Sequence, residues 1–164
     1  MSIERVREYM AERGRDSEIR EFSVSSATVE LAAKAVGVEG ARIAKTLSFY
    51  DRDREHSILV VAAGDCKVDN SKFKHFFGMK AKMLSGPDVE AFTGHAPGGV
   101  CPFANPAGTE VYLDESLRRF ETVFPACGSG NSAIELTCPE LEELSQAKGW
   151  VDVCKEATPA PAAE

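Results

Sequence analysis

The chain has 164 residues, of which 43% are hydrophobic and 27% are charged, and its formal net charge is −7 at pH 7. This length is typical of a single domain that buries a real core, and no apolar run approaches the roughly 18–20 residues that span a membrane. The acidic balance argues against broad, sequence-independent binding to nucleic acid, which needs a basic surface.

The first half of the chain predicts two helices and a β-hairpin. Apolar residues recur at helical spacing over residues 3–10, and we expect that helix to end at Gly14. This charged start does not have the pattern of a signal peptide, which favours a cytoplasmic protein. Ser26 can cap a helix through ATVELAAKAV that ends at Gly37. The alternating runs RIAKTLSFY and SILVVAA then predict an antiparallel pair.

The second half predicts shorter elements in an irregular order. A helix begins at one of residues 69–71 and ends at Gly78, the run MKAKML alternates like a strand, and SGPDVEAF predicts a short helix. Strands are expected at EVYLD, TVFPA, SAIEL and WVDVC. Thr137 and Glu140 form a capping box for a last helix, which we expect to end at Gly149.

These elements predict an α+β domain, because they lack the regular alternation of a doubly wound sheet. We expect a single domain over residues 1–155, with a curled, barrel-like mixed sheet flanked by helices. The proline- and alanine-rich tail, residues 156–164, is expected to be disordered.

The cysteines and histidines do not form a metal-binding or disulfide pattern. The five cysteines are widely spaced, and the chain contains neither C-x-x-C nor H-x-x-x-H. We therefore expect buried free thiols, no metal and no cofactor. The net charge still allows a local basic patch, for which the candidates are Arg42, Lys45, Lys72, Lys74, Lys80 and Lys82.

Lys45 occupies an unusual position in its predicted strand. In RIAKTLSFY, alternation places it on the same face as Ile43 and Leu47. An unpaired ammonium on a core-facing row is costly. Lys45 therefore either extends to solvent at the strand end or lines a pocket that takes an anionic ligand.

Two glycine-rich segments have the properties that such a pocket needs. TGHAPGGVCPF, residues 93–103, and CGSGNS, residues 127–132, allow backbone amides to approach a ligand closely. Neither segment is a nucleotide-binding fingerprint. The residues of interest are Gly98 and Gly99 in the first segment, and Ser129, Gly130 and Asn131 in the second.

Three segments, IAKTL, TGHAPGGVCPF and GSGNSAIEL, together resemble the YbaK/prolyl-tRNA-synthetase-associated domain family in order and spacing. The resemblance covers about residues 18–153. It implies hydrolysis of the ester that joins a wrong amino acid to the 3′ end of tRNA. The partners it implies are the acceptor end of an aminoacyl-tRNA, most often tRNA-Pro carrying a small amino acid, and prolyl-tRNA synthetase.

The resemblance also implies roles for individual residues. Lys45 falls on the family's essential lysine, which would hold the 3′-terminal nucleotide, and Gly98 and Gly99 fall on the loop beside the scissile carbonyl. Phe22 would wall the pocket, and His95 would help to sort substrates by size. The sequence nominates no general base, so groups of the substrate itself would help to activate water.

One position departs from the pattern of the cysteine-specific members. Those proteins resemble this chain but carry an aspartate where this sequence has Ala133. The floor of the pocket is therefore less acidic here. This difference leaves open which small amino acid is removed.

Other functions are compatible with the same residues. A thiol enzyme could use Cys101 with His95, six residues apart in one loop. A non-catalytic module could bind tRNA ends or a synthetase without cleaving anything, and a small-molecule-binding domain could carry unrelated chemistry. A deacylation assay with Lys45→Ala distinguishes the editing enzyme from these alternatives.

Overall fold

The computed structural model describes residues 2–157 of the chain. This part forms the helices α1 (Ser2–Ala11), α2 (Val29–Val36), α3 (Asn70–Phe77), α4 (Gly86–Thr93) and α5 (Cys138–Ser145). Its strands are β1 (Arg20–Glu21), β2 (Ile43–Tyr50), β3 (Ser57–Ala63), β4 (Cys66–Val68), β5 (Glu110–Asp114), β6 (Thr122–Pro125), β7 (Ser132–Ala133), β8 (Leu136–Thr137), β9 (Gly149–Val151) and β10 (Cys154–Glu156).

Six strands form a mixed sheet in the order β8-β6-β2-β3-β5-β9. The antiparallel pair β2–β3 is central, and parallel pairs join β2 to β6, β3 to β5 and β5 to β9. Two smaller pairs, β1–β7 and β4–β10, lie outside this sheet. The sheet curls into a half-barrel flanked by the five helices, which confirms the predicted α+β fold.

The central hairpin follows directly from the residue pattern. All seven residues of β3 are buried, as expected for a continuous apolar strand that is covered on both faces. Phe49 of β2 packs against Phe73 of α3, with ring centroids 4.7 Å apart. The same core contains Val6 and Met10 of α1, so the helical spacing at the N-terminus is confirmed.

Several predicted helix ends are confirmed by their capping geometry. Asp69 caps α3 by accepting a hydrogen bond from the backbone N–H of Lys72, and Gly78 ends that helix with a positive φ. Gly37 ends α2 in the same way. Aspartate supplies the oxygen that an N-terminus needs, and glycine adopts the left-handed conformation at low cost.

Two other helix ends differ from the prediction. The N-cap of α2 is Thr28, whose hydroxyl accepts a hydrogen bond from Leu31 N–H, whereas Ser26 lies two residues upstream. The capping box of Thr137 and Glu140 is present at α5, but this helix ends at Gln146 with φ 54°, and Gly149 begins β9. In both cases several residues could have served locally, and tertiary pairing decided which one did.

Three predicted strands are broken up in the structure. MKAKML contributes only an isolated bridge between Phe49 and Met83. SAIEL splits into β7 and β8, which pair with β1 and β6 respectively. WVDVC splits into β9 and the start of β10, which pair with β5 and β4. Alternation in these segments reports burial, but it does not reveal that the chain changes partner halfway.

The C-terminal part of the described chain is paired with the body of the domain. Glu156, the last residue of β10, lies opposite Cys66 of β4. Residues 158–164, which hold most of the predicted disordered tail, lie outside the described residues. Within residues 2–157, no helix combines the length and apolar character needed to cross a membrane.

Candidate active site

A cavity of about 210 Å³ opens beside β2, at a gap along one edge of that strand. Strand β6 pairs with this edge at residues 43–44. Further along, Ser48 and Tyr50 form backbone hydrogen bonds with segment 82–84. Lys45 and Thr46 lie between these two pairings and line the cavity. The gap exists because no strand continues β6 along β2.

Lys45 lines this cavity, which is one of the two positions that the alternation of β2 left open. It is half-buried and lies opposite Ala62 of β3. The described lysines that form ion pairs are Lys72 and Lys155, so the ammonium group of Lys45 has no carboxylate partner within residues 2–157. A cation in this position favours an anionic ligand, because partial burial weakens its hydration without supplying a counter-charge.

Two buried hydroxyl groups add polarity to the cavity. Ser26 and Thr46 both line it, and the Oγ of Ser26 and the Oγ1 of Thr46 have no hydrogen-bond partner among the described residues. Buried polar atoms are normally satisfied, so such atoms in a cavity are available to a ligand. The rest of the wall is largely apolar, with Val29, Ile43 and Phe124 among its residues.

The first glycine segment turns sharply beside the cavity. The N–H of Gly99 donates to the carbonyl of Ala96 at 3.0 Å, and Gly98 has φ 91°. With Pro97 before Gly98, this is the residue pattern of a type II turn. Gly98 lines the cavity and Gly99 does not. Gly99 therefore uses its N–H within the turn instead of offering it to a ligand.

The second glycine segment packs directly against the first. A Cβ atom on Gly99 would lie 2.8 Å from the carbonyl carbon of Gly128 and from the nitrogen of Ser129. The turn that follows is closed internally, because Ser129 Oγ donates to Asn131 Oδ1 at 2.9 Å. The predicted residues of this segment, Ser129, Gly130 and Asn131, are not in the cavity wall, which receives Ser132 and Ala133 instead.

Phe22 is held by this second segment and is not in the cavity wall. Its backbone N–H donates to the carbonyl of Asn131 at 2.8 Å, and its own carbonyl accepts from Asn131 Nδ2 at 3.0 Å. The carbonyl of Gly130 accepts from the N–H of Ser26 at 2.7 Å. These bonds hold the segment that carries Ser26 at the edge of the cavity.

His95, in the first glycine segment, is fully buried and is not in the cavity wall. Its Nε2 lies 2.8 Å from the carbonyl oxygen of Phe103, so Nε2 carries the proton and donates. Burial lowers the pKa of this imidazole. His95 thus stabilises the loop through its hydrogen bond to Phe103, and it does not contact the cavity.

Cys101 is buried next to His95, with Sγ 3.4 Å from Nε2. Burial raises the pKa of this thiol to about 12, and the neighbouring Nε2 already donates to Phe103. A nucleophilic thiol needs an accessible thiolate and a base that can take its proton. The pair has neither property, so the geometry does not support the thiol-enzyme alternative.

Two residues of the cavity wall were not predicted as site residues. Ser26 was expected at a helix N-cap, and Thr46 was not singled out. Thr46 lines the cavity where the pairing of β2 with β6 has ended, and Ser26 lies there because its segment is bonded to the carbonyl of Gly130. The only local signal was the run SSAT before α2, which contains more capping residues than one helix start requires.

The chain is similar over nearly its whole length to known proteins. It is 55% identical to the uncharacterized protein YwhH of Bacillus subtilis, covering 95% of this chain and 99% of that one. It is 28% identical to EbsC of Enterococcus faecalis, named as a candidate Cys-tRNA(Pro)/Cys-tRNA(Cys) deacylase, covering 76% of each chain.

A solved structure and a family match agree with these similarities. The crystal structure of a candidate trans-editing enzyme for prolyl-tRNA synthetase superposes with a TM-score of 0.83 at 29% identity, covering 94% of this chain and 97% of that one. The aminoacyl-tRNA editing domain matches residues 24–144, which is most of the chain. The protein therefore belongs to the YbaK-like aminoacyl-tRNA editing domain family.

Proposed function

We propose that this protein is a deacylase that hydrolyses the ester of mischarged aminoacyl-tRNA. The observation that carries the proposal is Lys45, a half-buried residue that forms no ion pair within residues 2–157 and lines a cavity next to Gly98. The acceptor end of tRNA is anionic, and its ester carries the amino acid at the terminal ribose. Lys45 would bind this end and place the ester over the cavity.

The cavity walls favour a small amino acid. A volume of about 210 Å³ accommodates a side chain of a few heavy atoms, and its wall includes Ala32, Ile43, Phe124 and Ala133. Ala133 is buried there and supplies no charge. The hydroxyls of Ser26 and Thr46 supply hydrogen-bonding groups in the same space. We infer that a small, uncharged amino acid is removed, and that tRNA-Pro is the carrier to test first.

Hydrolysis requires stabilisation of the negative charge that develops on the ester oxygen when water attacks the carbonyl carbon. Gly98 and Val100 both line the cavity, and their backbone N–H groups form no hydrogen bond with another described residue. We assign them as the donors, in place of the Gly98–Gly99 pair expected from the sequence. The acyl C–O bond to the ribose then breaks, the amino acid leaves as its carboxylate, and the ribose oxygen takes the proton that the attacking water gives up.

The side chains of the cavity wall include no carboxylate and no imidazole. Within residues 2–157, the cavity wall therefore offers no general base next to the ester. A hydroxyl of the terminal ribose is the nearest group that can position the attacking water, so the proposal assigns this role to the substrate.

A panel of mischarged tRNAs tests the proposed function. tRNA-Pro carrying alanine, serine, threonine or cysteine is incubated with the wild-type protein, and release of the amino acid is followed in time. We expect hydrolysis of at least one of these esters. We expect Lys45→Ala to abolish it because binding and placement of the 3′ end are lost.

Lys67→Ala is the matched control for this experiment. Lys67 is an exposed lysine of a strand, β4, on the surface, so its removal changes the net charge equally without touching the cavity. The proposal fails if no ester in the panel is cleaved, or if Lys45→Ala cleaves as fast as Lys67→Ala. Tight binding without cleavage would instead identify a non-catalytic module.

A further inference from the structure

We propose that a basic groove beside the far end of β2 binds the phosphate backbone of the tRNA acceptor arm. The basic groove is defined by Arg52, Arg54, Lys80 and Lys82 around Tyr50, and its volume is about 530 Å³. The proposal takes the identity of the nucleic acid from the proposed function and adds a binding surface outside the cavity.

The cations of the basic groove have no neutralising partners. All four are exposed, and the ion pairs formed among residues 2–157 involve other lysines and arginines. Asp51 is the one carboxylate in the lining of the groove. Two further carboxylates lie close by, but Asp53 pairs with His56 and Asp88 accepts a hydrogen bond from the Tyr50 hydroxyl. On a chain of net charge −7, the groove therefore gathers four exposed cations that form no ion pair within residues 2–157.

The same surface continues onto α3. A neighbouring groove shares Lys80 with the first and adds Lys74, together with the polar side chains of Asn70 and Ser71. Lys74 is also exposed and unpaired within the described part of the chain. The positive surface is therefore extended, as a strand of successive phosphates requires, and is not a single point of charge.

The remaining basic candidates from the sequence do not belong to this surface. Arg42 contacts Glu135 at 3.6 Å, and Lys72 pairs with Asp152 at 2.9 Å. Lys45 lies in the cavity. The tertiary structure thus places the basic candidates in three environments: Lys45 lines the cavity, Arg42 and Lys72 form ion pairs, and the others lie at the basic surface.

The position of the groove fits a substrate whose 3′ end is in the cavity. Tyr50 lies five residues after Lys45 in β2, which corresponds to about 17 Å along the strand. Segment 82–84, which leads from Lys82 towards the cavity, runs along the same edge of β2 through the bonds Tyr50 N–H to Lys82 O and Leu84 N–H to Ser48 O. The cavity and the basic groove therefore lie along the same edge of β2.

The distance between the cavity and the basic groove indicates which part of the tRNA the groove would contact. Stacked nucleotides advance by roughly 3.4 Å each along one strand. About five nucleotides therefore separate an ester above Lys45 from phosphates at the basic groove. The groove would contact the strand where the unpaired 3′ end meets the acceptor stem, and it would contribute affinity without reading sequence.

The salt dependence of tRNA binding tests the proposal directly. Binding of uncharged tRNA is measured by filter retention between 50 and 300 mM salt for the wild type and for the double variant Lys80→Ala/Lys82→Ala. Loss of two phosphate contacts should weaken binding about tenfold and reduce the slope of log K against log salt by about 1.5. The matched control is Lys67→Ala/Lys148→Ala, which removes two exposed lysines elsewhere.

A comparison of substrates gives a second readout. For the groove variant, KM for a cleavable full-length aminoacyl-tRNA should rise at least fivefold more than KM for the same amino acid on a CCA trinucleotide, which is too short to reach the groove. Equal binding and equal slopes for the groove and control variants would overturn the proposal. Binding of polyglutamate that is lost in the groove variant, while binding of tRNA stays unchanged, would also overturn it and would indicate an acidic protein partner.

These outcomes are separable from a failure of the proposed function. A protein that cleaves no ester but loses tRNA binding in the groove variant retains the groove proposal. A protein that cleaves esters equally well with and without the groove retains the function and loses the groove proposal.

Discussion

Two regions of this protein contain side chains that can take part in catalysis, and the first glycine segment, residues 93–103, contributes to both. Lys45 lines an open cavity together with Gly98 of this segment, and it forms no ion pair within residues 2–157. His95 and Cys101 of the same segment touch each other but are fully buried. The more reactive residue types are in the closed region.

The difference shows that access and protonation state decide what a residue can do. Cys101 has a raised pKa and no available base, so the thiol and imidazole act as packing groups. Lys45 carries a charge at a cavity where that charge has no protein partner among the described residues. The same loop serves both regions, because its turn at Gly98 lines the cavity while its His95 and Cys101 are buried.

The largest effect is expected for Lys45. Lys45→Ala should lower kcat/KM for the best mischarged tRNA by about 100-fold or more, because positioning and charge are lost together. The free energy of unfolding should change by less than about 0.5 kcal/mol, since no ion pair within residues 2–157 is broken. Single-turnover deacylation and urea unfolding measure the two quantities. Unfolding of the variant at much lower urea would mean that the lysine is structural.

The contact between the two glycine segments should be the next most sensitive feature. Gly99→Ala places a Cβ 2.8 Å from backbone atoms of Gly128 and Ser129, so the loops must move apart. We expect a loss of about 1–3 kcal/mol in unfolding free energy and a lower kcat. Gly86→Ala, at the start of α4 with no atom within 4 Å of the new Cβ, is the control and should be neutral or stabilising.

The buried imidazole should produce a smaller, pH-dependent effect. The folded-state pKa of His95 lies below its ordinary value, so the unfolded chain binds a proton more readily. The stability that His95 contributes is therefore complete above about pH 6.5 and falls as the pH drops through the folded-state value. Unfolding in urea from pH 7.5 to 5.0 should show this loss in the wild type.

His95→Gln is the variant that sharpens this comparison, because the glutamine amide can donate a hydrogen bond without titrating. Its stability should fall less steeply with acid than that of the wild type. His56, whose pKa is raised by the side chain of Asp53, has the opposite sign and is present in both proteins. Parallel acid profiles for the two proteins would show that His95 does not titrate in this range.

The smallest effect is expected for the thiol. Cys101→Ala should keep deacylation within about twofold of the wild type, because Cys101 does not line the cavity. Iodoacetamide should modify the half-buried Cys138 well before Cys101 in the native protein, as read by mass spectrometry. Loss of activity in step with alkylation of Cys101 would restore the thiol-enzyme hypothesis.

The sequence predicted the elements whose signals are local. The hairpin β2–β3, the start of α3 at one of residues 69–71, its end at Gly78 and the capping box of α5 depend on residues within a few positions of one another. The order of the three family motifs also placed Lys45 and Gly98 in one site, and the structure brings both to the cavity.

Predictions that depended on partner choice were less successful. Phe22, Ser129, Gly130 and Asn131 were expected at the pocket, but their hydrogen bonds join the second glycine segment to β1 and to the segment before α2. His95 was expected to contact substrate and is instead buried on Phe103. The sequence shows that these groups can form hydrogen bonds, but the partner is specified by chain segments more than 100 residues apart in the case of Phe22 and Asn131.

The sequence by itself determined an α+β domain, a lysine in an apolar strand row and two segments rich in glycine, because alternation, capping and backbone freedom are properties of neighbouring residues. Only the tertiary structure decided that β6 and segment 82–84 leave a gap along β2, that Ser26 and Thr46 line it, and that the exposed cations gather beside Tyr50. These features depend on which distant segments pair along one strand edge. That choice is made by the packing of the whole core.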